Sequence, residues 1–404
     1  MLAKRAGAVL LSTLAVTAVG AAAPAAASAA TTDSVLAWYD TTAAAVAAGG
    51  ATTQVTNSRT WAIGWLAAAR AQNGPHSTAY RRAALAGAVH QTLITLIPAQ
   101  AAAADAALAA DLATIPDGRA ETEGLAAGRK EATDLLAERA DDGLDPASVN
   151  APYTVPAAAP GIWQPTPPAY APATQYGNRV ARPFALRSAG QYRPAPPPAL
   201  DSARYRRDIA EVKAYGAVDS TVRTQAQTDT ATFWLGSSFV LYTPILRAAV
   251  EQSRGSLADR IRLVALFHVA SVDTQIATSD AKYAYQLWRP VTAIRAGGDA
   301  DWLPLHATPA HPDYPSGHNT YSGSAEQILT ALFGPRARSP YTIPSPSAPG
   351  VTRTYTDWHV PSLENVDARV WSGIHSRSAD EAGIALGKAV AAHTLRNAGR
   401  LLAG

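Results

Sequence analysis

The 404-residue sequence contains no cysteine. Disulfide staples are therefore excluded, and the fold must hold by packing alone. Its one methionine is Met1, so the chain beyond it has no sulfur atom. Thiols and thioethers are the side chains oxidised first. A chain without them suits an enzyme that releases strong oxidants, although drift in an alanine-biased composition gives the same result. An excess of charge is missing too. Without Lys4 and Arg5 the remainder carries 32 basic against 31 acidic residues, a net charge of +1. That balance gives no reason to expect nucleic acid or a membrane surface as partner. Past the N-terminal segment no run is long and apolar enough to span a bilayer. With 48% hydrophobic and 16% charged residues, the chain can bury a sizeable core, and global disorder is excluded.

The N-terminus, MLAKRAGAVLLSTLAVTAVGAAAPAAASAA, has a short basic start at Lys4 and Arg5. An apolar run to Gly20 follows, then an A-x-A site at Ala27-Ser28-Ala29. Residues 1–29 are expected to be a secretory signal peptide, and the protein to be extracellular and soluble. An uncleaved anchor fits less well, because Ser12, Thr13 and Gly20 interrupt the run.

Residues 30–143 are rich in alanine and lack strand alternation. SRTWAIGWLAAARAQ places Trp61, Trp65 and Leu66 on one helical side, with Ser58 as the expected N-cap. Helices are also expected in AYRRAALAGAVHQTLITLIP, AQAAAADAALAADLATIP and GRAETEGLAAGRKEATDLLAERADD. About five helices joined by short turns make an antiparallel bundle. Residues 144–200 hold 13 of the 29 prolines, which rules out long helices. Trp163, Tyr170, Phe184 and Leu186 give this stretch apolar anchors, so an ordered strap is expected rather than a mobile linker. Residues 201–404 return to helical spacing near 201–215, 220–236, 239–254, 256–286, 316–334 and 377–399. The fold class is all-α, two packed helical bundles with a long proline-rich strap.

Three stretches concentrate polar chemistry. In DAKYAYQLWRPVTAIR, Lys282 and Arg289 lie seven apart. If the segment is helical, both project from one face, and Pro290 ends or kinks the helix just beyond. In HPDYPSGHNT, Pro315 and Ser316 open a helix whose first N–H groups and dipole favour an anion. Gly317 lets an oxyanion approach that backbone, Ser316 offers a hydroxyl, and His318 can act as acid or base. In ARVWSGIHSRSADEAG, Arg369 and His375 do not share a regular helical face. A break at Gly373 lets both turn to one point. Asp380, or a backbone carbonyl, can take one ring N–H of His375 and leave the other nitrogen free. Each stretch alone is also consistent with an ordinary solvated face, cap or structural histidine. Together they supply three cations, a hydroxyl, a helix start and two imidazoles, a set that fits a multiply charged tetrahedral oxyanion.

The order Lys282-x6-Arg289-Pro290, Pro315-Ser316-Gly317-His318, Arg369-x5-His375 resembles the superfamily of vanadium-dependent haloperoxidases, type 2 phosphatidic acid phosphatases and bacterial acid phosphatases. The spacers are 24 residues between Pro290 and Pro315 and 50 between His318 and Arg369. WRPVTAIR, HPDYPSGH and GIHSRSADEAG look most like the secreted bacterial haloperoxidase-like branch. The resemblance implies the chloroperoxidase-like pair of helical bundles, with 201–404 carrying the site. It implies that Lys282, Arg289 and Arg369 bind the oxygens of vanadate or phosphate, helped by Ser316 and the Gly317 amide. His375 would bond vanadium or attack phosphorus, and His318 would move protons. Vanadate would be the cofactor, and hydrogen peroxide, a halide and a small organic molecule the partners. Two departures stand out. Ala368 replaces the serine that phosphatases place before the arginine, and Ser279 stands where fungal chloroperoxidases are expected to have tryptophan.

Halide oxidation by peroxide is the first reading. A secreted phosphomonoesterase working through a phosphohistidine at His375, on a phosphate monoester and with no cofactor required, is the alternative. A zinc site from His306, His311 and His318 fits no standard ligand spacing, since Pro312 and Pro315 interrupt any shared helix. Oligomeric state is not legible.

Overall fold

The computed structural model describes residues 33–404, so the expected signal peptide lies outside the described residues. These residues form fifteen α-helices and one β-hairpin. The first group is α1 (Ser34–Gly49), α2 (Gln54–Arg70), α3 (Thr78–Leu96), α4 (Ala101–Leu112) and α5 (Arg119–Glu138), then a single turn, α6 (Pro146–Val149). Their starts follow local chemistry: Asp33 accepts the N–H groups of Val35 and Leu36, and Ser77 that of Tyr80. One expected cap is corrected. Helix α2 begins at Gln54 with Thr53 as N-cap. Ser58 is buried inside the helix, where it accepts from Gln275 Nε2 at 3.2 Å. Trp61, Trp65 and Leu66 are fully buried, on the side the spacing indicates.

The second group is α7 (Ala203–Tyr215), α8 (Gln225–Phe233), α9 (Ser238–Gln252), α10 (Leu257–Tyr285), α11 (Pro290–Ala296), α12 (Gly317–Phe333), α13 (Val360–Trp371), α14 (Arg377–Arg396) and α15 (Ala398–Ala403). Capping boxes open α8 (Thr224 with Gln227) and α10 (Ser256 with Asp259). Helix α10 is buried almost throughout and packs against α2 from the first group and against α12 and α14 from the second. One apolar cluster therefore runs from Val35 to Leu401. Three elements in the last third escape the sequence reading. Two are helices α11 and α13. The third is the antiparallel hairpin β1 (Arg336–Pro344) and β2 (Thr352–Asp357), whose Tyr341, Ile343 and Tyr355 turn inward.

The proline-rich segment is tied down along its length. Trp163 N donates to Gln286 O at 2.7 Å, and Trp288 N donates to Gly161 O at 2.9 Å. Further on, the buried Asp273 carboxylate of α10 accepts the N–H groups of Phe184 (2.7 Å), Ala185 (2.7 Å) and Leu186 (2.9 Å). Proline lacks a donor, so this stretch pairs with itself only in isolated turns such as Ile162 N to Ala159 O and Tyr170 N to Thr166 O. The core supplies partners instead. Arg193 grips Asp280 at 2.8 and 2.9 Å, and Tyr314 donates its hydroxyl to Ala195 O at 2.8 Å. The strap thus crosses α10 and the loop that precedes α12.

Helices α12 and α14 meet backbone to backbone. A Cβ on Gly387 would lie 2.0 Å from Thr320 O, and one on Gly323 would lie 2.3 Å from Ile384 O. Only glycine permits that approach. It sets the start of α12 beside the turn that leads into α14.

Candidate oxyanion site

Lys282 lies in the last turn of α10, which ends at Tyr285 with Gln286 in left-handed conformation. Arg289 is extended and caps α11, with Pro290 in the first turn. The two cations therefore do not share one helical face, as the seven-residue spacing suggests. They converge because the chain turns between them, and Pro290 starts a helix rather than ending one. Arg369 closes α13. Gly373, at φ +78°, lets the chain reverse so that His375 faces the same region. Ser316 is the N-cap of α12, and its N–H donates to Ala379 O at 2.9 Å.

All three cations are buried: Lys282 is 2% exposed, Arg289 0% and Arg369 1%. Lys282 Nζ donates to the carbonyls of Pro312 (2.7 Å) and Asp313 (3.1 Å). Arg289 donates to His311 O at 2.6 Å and Ile374 O at 2.7 Å. It also reaches His375 Nε2 at 3.1 Å and His311 Nδ1 at 3.0 Å. Arg369 makes one long bond, to Trp234 O at 3.3 Å, and its Nε has no partner. Ser316 Oγ, also fully buried, makes no well-formed hydrogen bond. A Cβ on Gly317 would meet nothing nearer than 3.9 Å, at Lys282 and Thr278. The backbone there borders open space next to the lysine.

Buried donors without partners cost free energy, and like charges gathered in a dry interior repel. The site shows that cost. Burial, then Arg289, holds Lys282 well below the usual ammonium range. Burial pushes Arg289 and Arg369 down to about 10. His375 is held well below the usual imidazole range by burial, with Arg289, Lys282 and Arg369 adding repulsion. Burial and Arg369 lower His318 to about 3. An anion among these groups would satisfy the orphan donors and relieve the repulsion together.

His375 has defined ring roles. Asp313 Oδ1 lies 2.6 Å from Nδ1, so Nδ1 carries the proton and Nε2 keeps its lone pair toward Arg289. The Asp380 expectation is thereby corrected. Asp380, in the first turn of α14, accepts from Asn319 Nδ2 at 2.7 Å and does not bond His375. Burial raises its carboxyl well above the usual range, partly offset by the nearby Ser316 hydroxyl. Asp313 is raised to about 6 by burial, opposed by Arg289. His318, partly buried in the first turn of α12, donates Nε2–H to Gly236 O at 2.8 Å, which leaves Nδ1 as its free nitrogen.

Sequence reasoning leaves His311 and Asp313 outside the core of the site, but the structure puts both in it. Both are buried, His311 against Arg289 and Asp313 against His375. The signal was present, since an acid two residues before Pro315 in a chain that buries this loop needs a partner. His306 bonds the Ser372 hydroxyl at 3.0 Å, so His306, His311 and His318 each have different partners.

The mostly helical scaffold gathers three buried cations, a buried hydroxyl and two imidazoles in one place. Comparison with known proteins shows what this chain resembles. Residues 262–404 match the VCPO second helical-bundle domain. Vanadium chloroperoxidase of Curvularia inaequalis is 28% identical over 276 residues, 50% of this chain and 45% of that protein. The chain thus spans about half the length of this curated relative. A bacterial vanadium-dependent iodoperoxidase structure aligns with TM-score 0.73 and 22% identity, over 90% of this chain and 96% of the other. An apo-type bacterial vanadium-dependent chloroperoxidase aligns with TM-score 0.68 and 16% identity, over 87% and 94% respectively. Residues 262–404 thus match the model of that second helical-bundle domain, and the chain shares the helical fold of these bacterial vanadium-dependent peroxidases.

Proposed function

We propose that the protein is a secreted vanadate-dependent haloperoxidase that oxidises halide with hydrogen peroxide and passes the product to a small organic molecule. The observation that carries this reading is the pair of buried donors without a well-formed hydrogen bond, Ser316 Oγ and Arg369 Nε, set among three buried cations that Asp313 and Asp380 only partly offset. The residues fit vanadate. Lys282, Arg289, Arg369, Ser316 and the Gly317 amide would hold its oxygens, and His375 Nε2 its metal. Bound there, vanadate would supply a Lewis-acid centre for peroxide and halide without changing oxidation state.

The chain's own groups divide the remaining work. Asp313 fixes the His375 ring with Nε2 unprotonated. His318 is anchored by Gly236 O, so its Nδ1 is the atom available to take or return a proton. Negative charge near Arg369 and Lys282 would offset the repulsion that depresses His318 and bring it closer to the range where it exchanges protons at neutral pH.

The phosphomonoesterase reading keeps support from the same dyad. A histidine with one N–H on a buried carboxylate and its other nitrogen unprotonated, here facing Arg289, also suits a nucleophile. A side-by-side assay separates the two. Protein loaded with orthovanadate is given peroxide with iodide, bromide or chloride, and metal-free protein is given an aryl phosphate. Halide-dependent turnover that disappears in His375→Ala is the expected result. Aryl phosphate hydrolysis that vanadate inhibits, with no halide turnover, would replace this reading with the other.

A further inference from the structure

A second concave site lies between the strap and the C-terminal helices, and it shares no residue with the oxyanion site. It is a cavity of about 570 Å³ lined by Phe184 to Arg187 and Gln191–Tyr192 from the strap, and by His393, Arg396, Asn397 and Arg400. No acid lines it. Its three arginines, Arg187, Arg396 and Arg400, are exposed. Among the described residues none of the three pairs with a carboxylate, whereas Arg193, Arg204, Arg247 and Arg377 elsewhere on the surface do. Asp273, the acid that holds this part of the strap, spends both oxygens on the Phe184, Ala185 and Leu186 amides.

The wall behind these cations is organised. Arg396 donates to Tyr192 Oη at 3.1 Å, and Tyr192 Oη lies 3.0 Å from His393 Nδ1. His393 Nε2 lies 3.2 Å from Ala185 O, which also takes a long bond from Arg400 at 3.4 Å. Arg396 and Arg400 are thus tethered through one Nη2 each, which leaves their other N–H groups free. The Arg187 side chain makes no hydrogen bond among the described residues, while its backbone is held by Gln191 Oε1 at 2.8 Å. Three guanidiniums around one hollow, two of them pre-positioned and none neutralised, match an anion with at least two charges.

We propose that this pocket binds a small polyanionic phosphate or sulfate ester, independently of the oxyanion site. Inorganic pyrophosphate and a sulfated disaccharide serve as probes in separate calorimetric titrations of the whole protein, and they distinguish the two sources of that chemistry. Removing one charge-assisted hydrogen bond should weaken binding about tenfold. The Arg396→Gln/Arg400→Gln double variant is therefore expected to bind the preferred probe at least tenfold more weakly. Arg187→Gln, which removes no side-chain hydrogen bond, is expected to weaken it severalfold with no change in thermal midpoint. Weaker binding in both variants, with halide or phosphate turnover unchanged, supports the site. The proposal is overturned if neither probe binds the wild-type protein, or if binding survives in Arg187→Gln and in the double variant.

Discussion

The Asp313 carboxylate accepts the Nδ1 proton of His375 at 2.6 Å and the Ser376 hydroxyl at 2.7 Å, so one buried acid fixes the imidazole and the residue after it. Partners that orient a ligating histidine typically contribute about 10–100-fold in affinity or activity. Asp313→Asn keeps the volume and removes the charge. Steady-state turnover and orthovanadate titration of this variant should both fall by about that range. Asp380→Asn, which leaves the Asp313–His375 hydrogen bond intact, should not disturb the imidazole. The His375 ring-nitrogen NMR shifts should report loss of the Nδ1–H form only in the Asp313 variant.

Arg369 offers a test with an unusual sign. It is 1% exposed with a single long bond to a carbonyl, and the attraction of Asp380 only partly offsets its burial, so it is an incompletely compensated buried charge. Replacing such a group with an apolar side chain of similar size is often neutral or stabilising. Arg369→Met should therefore leave the metal-free thermal midpoint unchanged or raise it, and should abolish the rise that orthovanadate gives the wild-type protein. Differential scanning fluorimetry with and without vanadate reads both effects. A lowered metal-free midpoint with an intact vanadate response would contradict this role.

His268 gives the fold a pH dependence away from the site. Its ring stacks on Trp61 with centroids 4.7 Å apart, neither nitrogen has a partner, and burial lowers it to about 3. In the unfolded chain it protonates near the ordinary value of about 6.5. The folded pKa is the lower one, so its contribution is complete above about 6.5 and is lost as pH falls toward 3. Melting curves of the wild-type protein should show acid destabilisation over that window. His268→Phe should lessen it without abolishing it, because His318 and His375 are also held low and their contributions are lost as pH falls. An unchanged acid slope would contradict a contribution from His268.

Asp273 makes a mechanical prediction. Three strap amides end on its two oxygens, and removing it would orphan all three at about 1–3 kcal/mol each. Asp273→Ala should make the strap the first site of limited proteolysis, at Arg182 or Arg187. Cleavage first in another segment would argue against this anchor.

Much of the site is legible before any coordinates, because its residues come as short segments whose chemistry makes sense only together. Lys282, Arg289, Ser316, Gly317, His318, Arg369 and His375 are of that kind. The turns that bring them together are less legible. Lys282 and Arg289 read as one helix face because Lys-x6-Arg has helical spacing, yet Gln286 takes a left-handed conformation that no local signal announces. Asp380 reads as the partner of His375 by proximity in sequence. The long-range pair with Asp313, 62 residues away, prevails because α12 and α14 touch through Gly323 and Gly387. The hairpin is hidden by its prolines and arginines, since only Tyr341, Ile343 and Tyr355 face inward. The strap is recognisable by composition, but its anchor, a single aspartate inside an apolar helix, is not.

The most direct measurement is an anomalous difference map from crystals soaked in orthovanadate. One vanadium peak at bonding distance from His375 Nε2, with oxygen density meeting Lys282, Arg289, Arg369, Ser316 Oγ and the Gly317 amide, is the expected result. No peak there at saturating vanadate, or a peak bonded to other residues, would contradict the claim that these side chains form one tetraoxo-anion site.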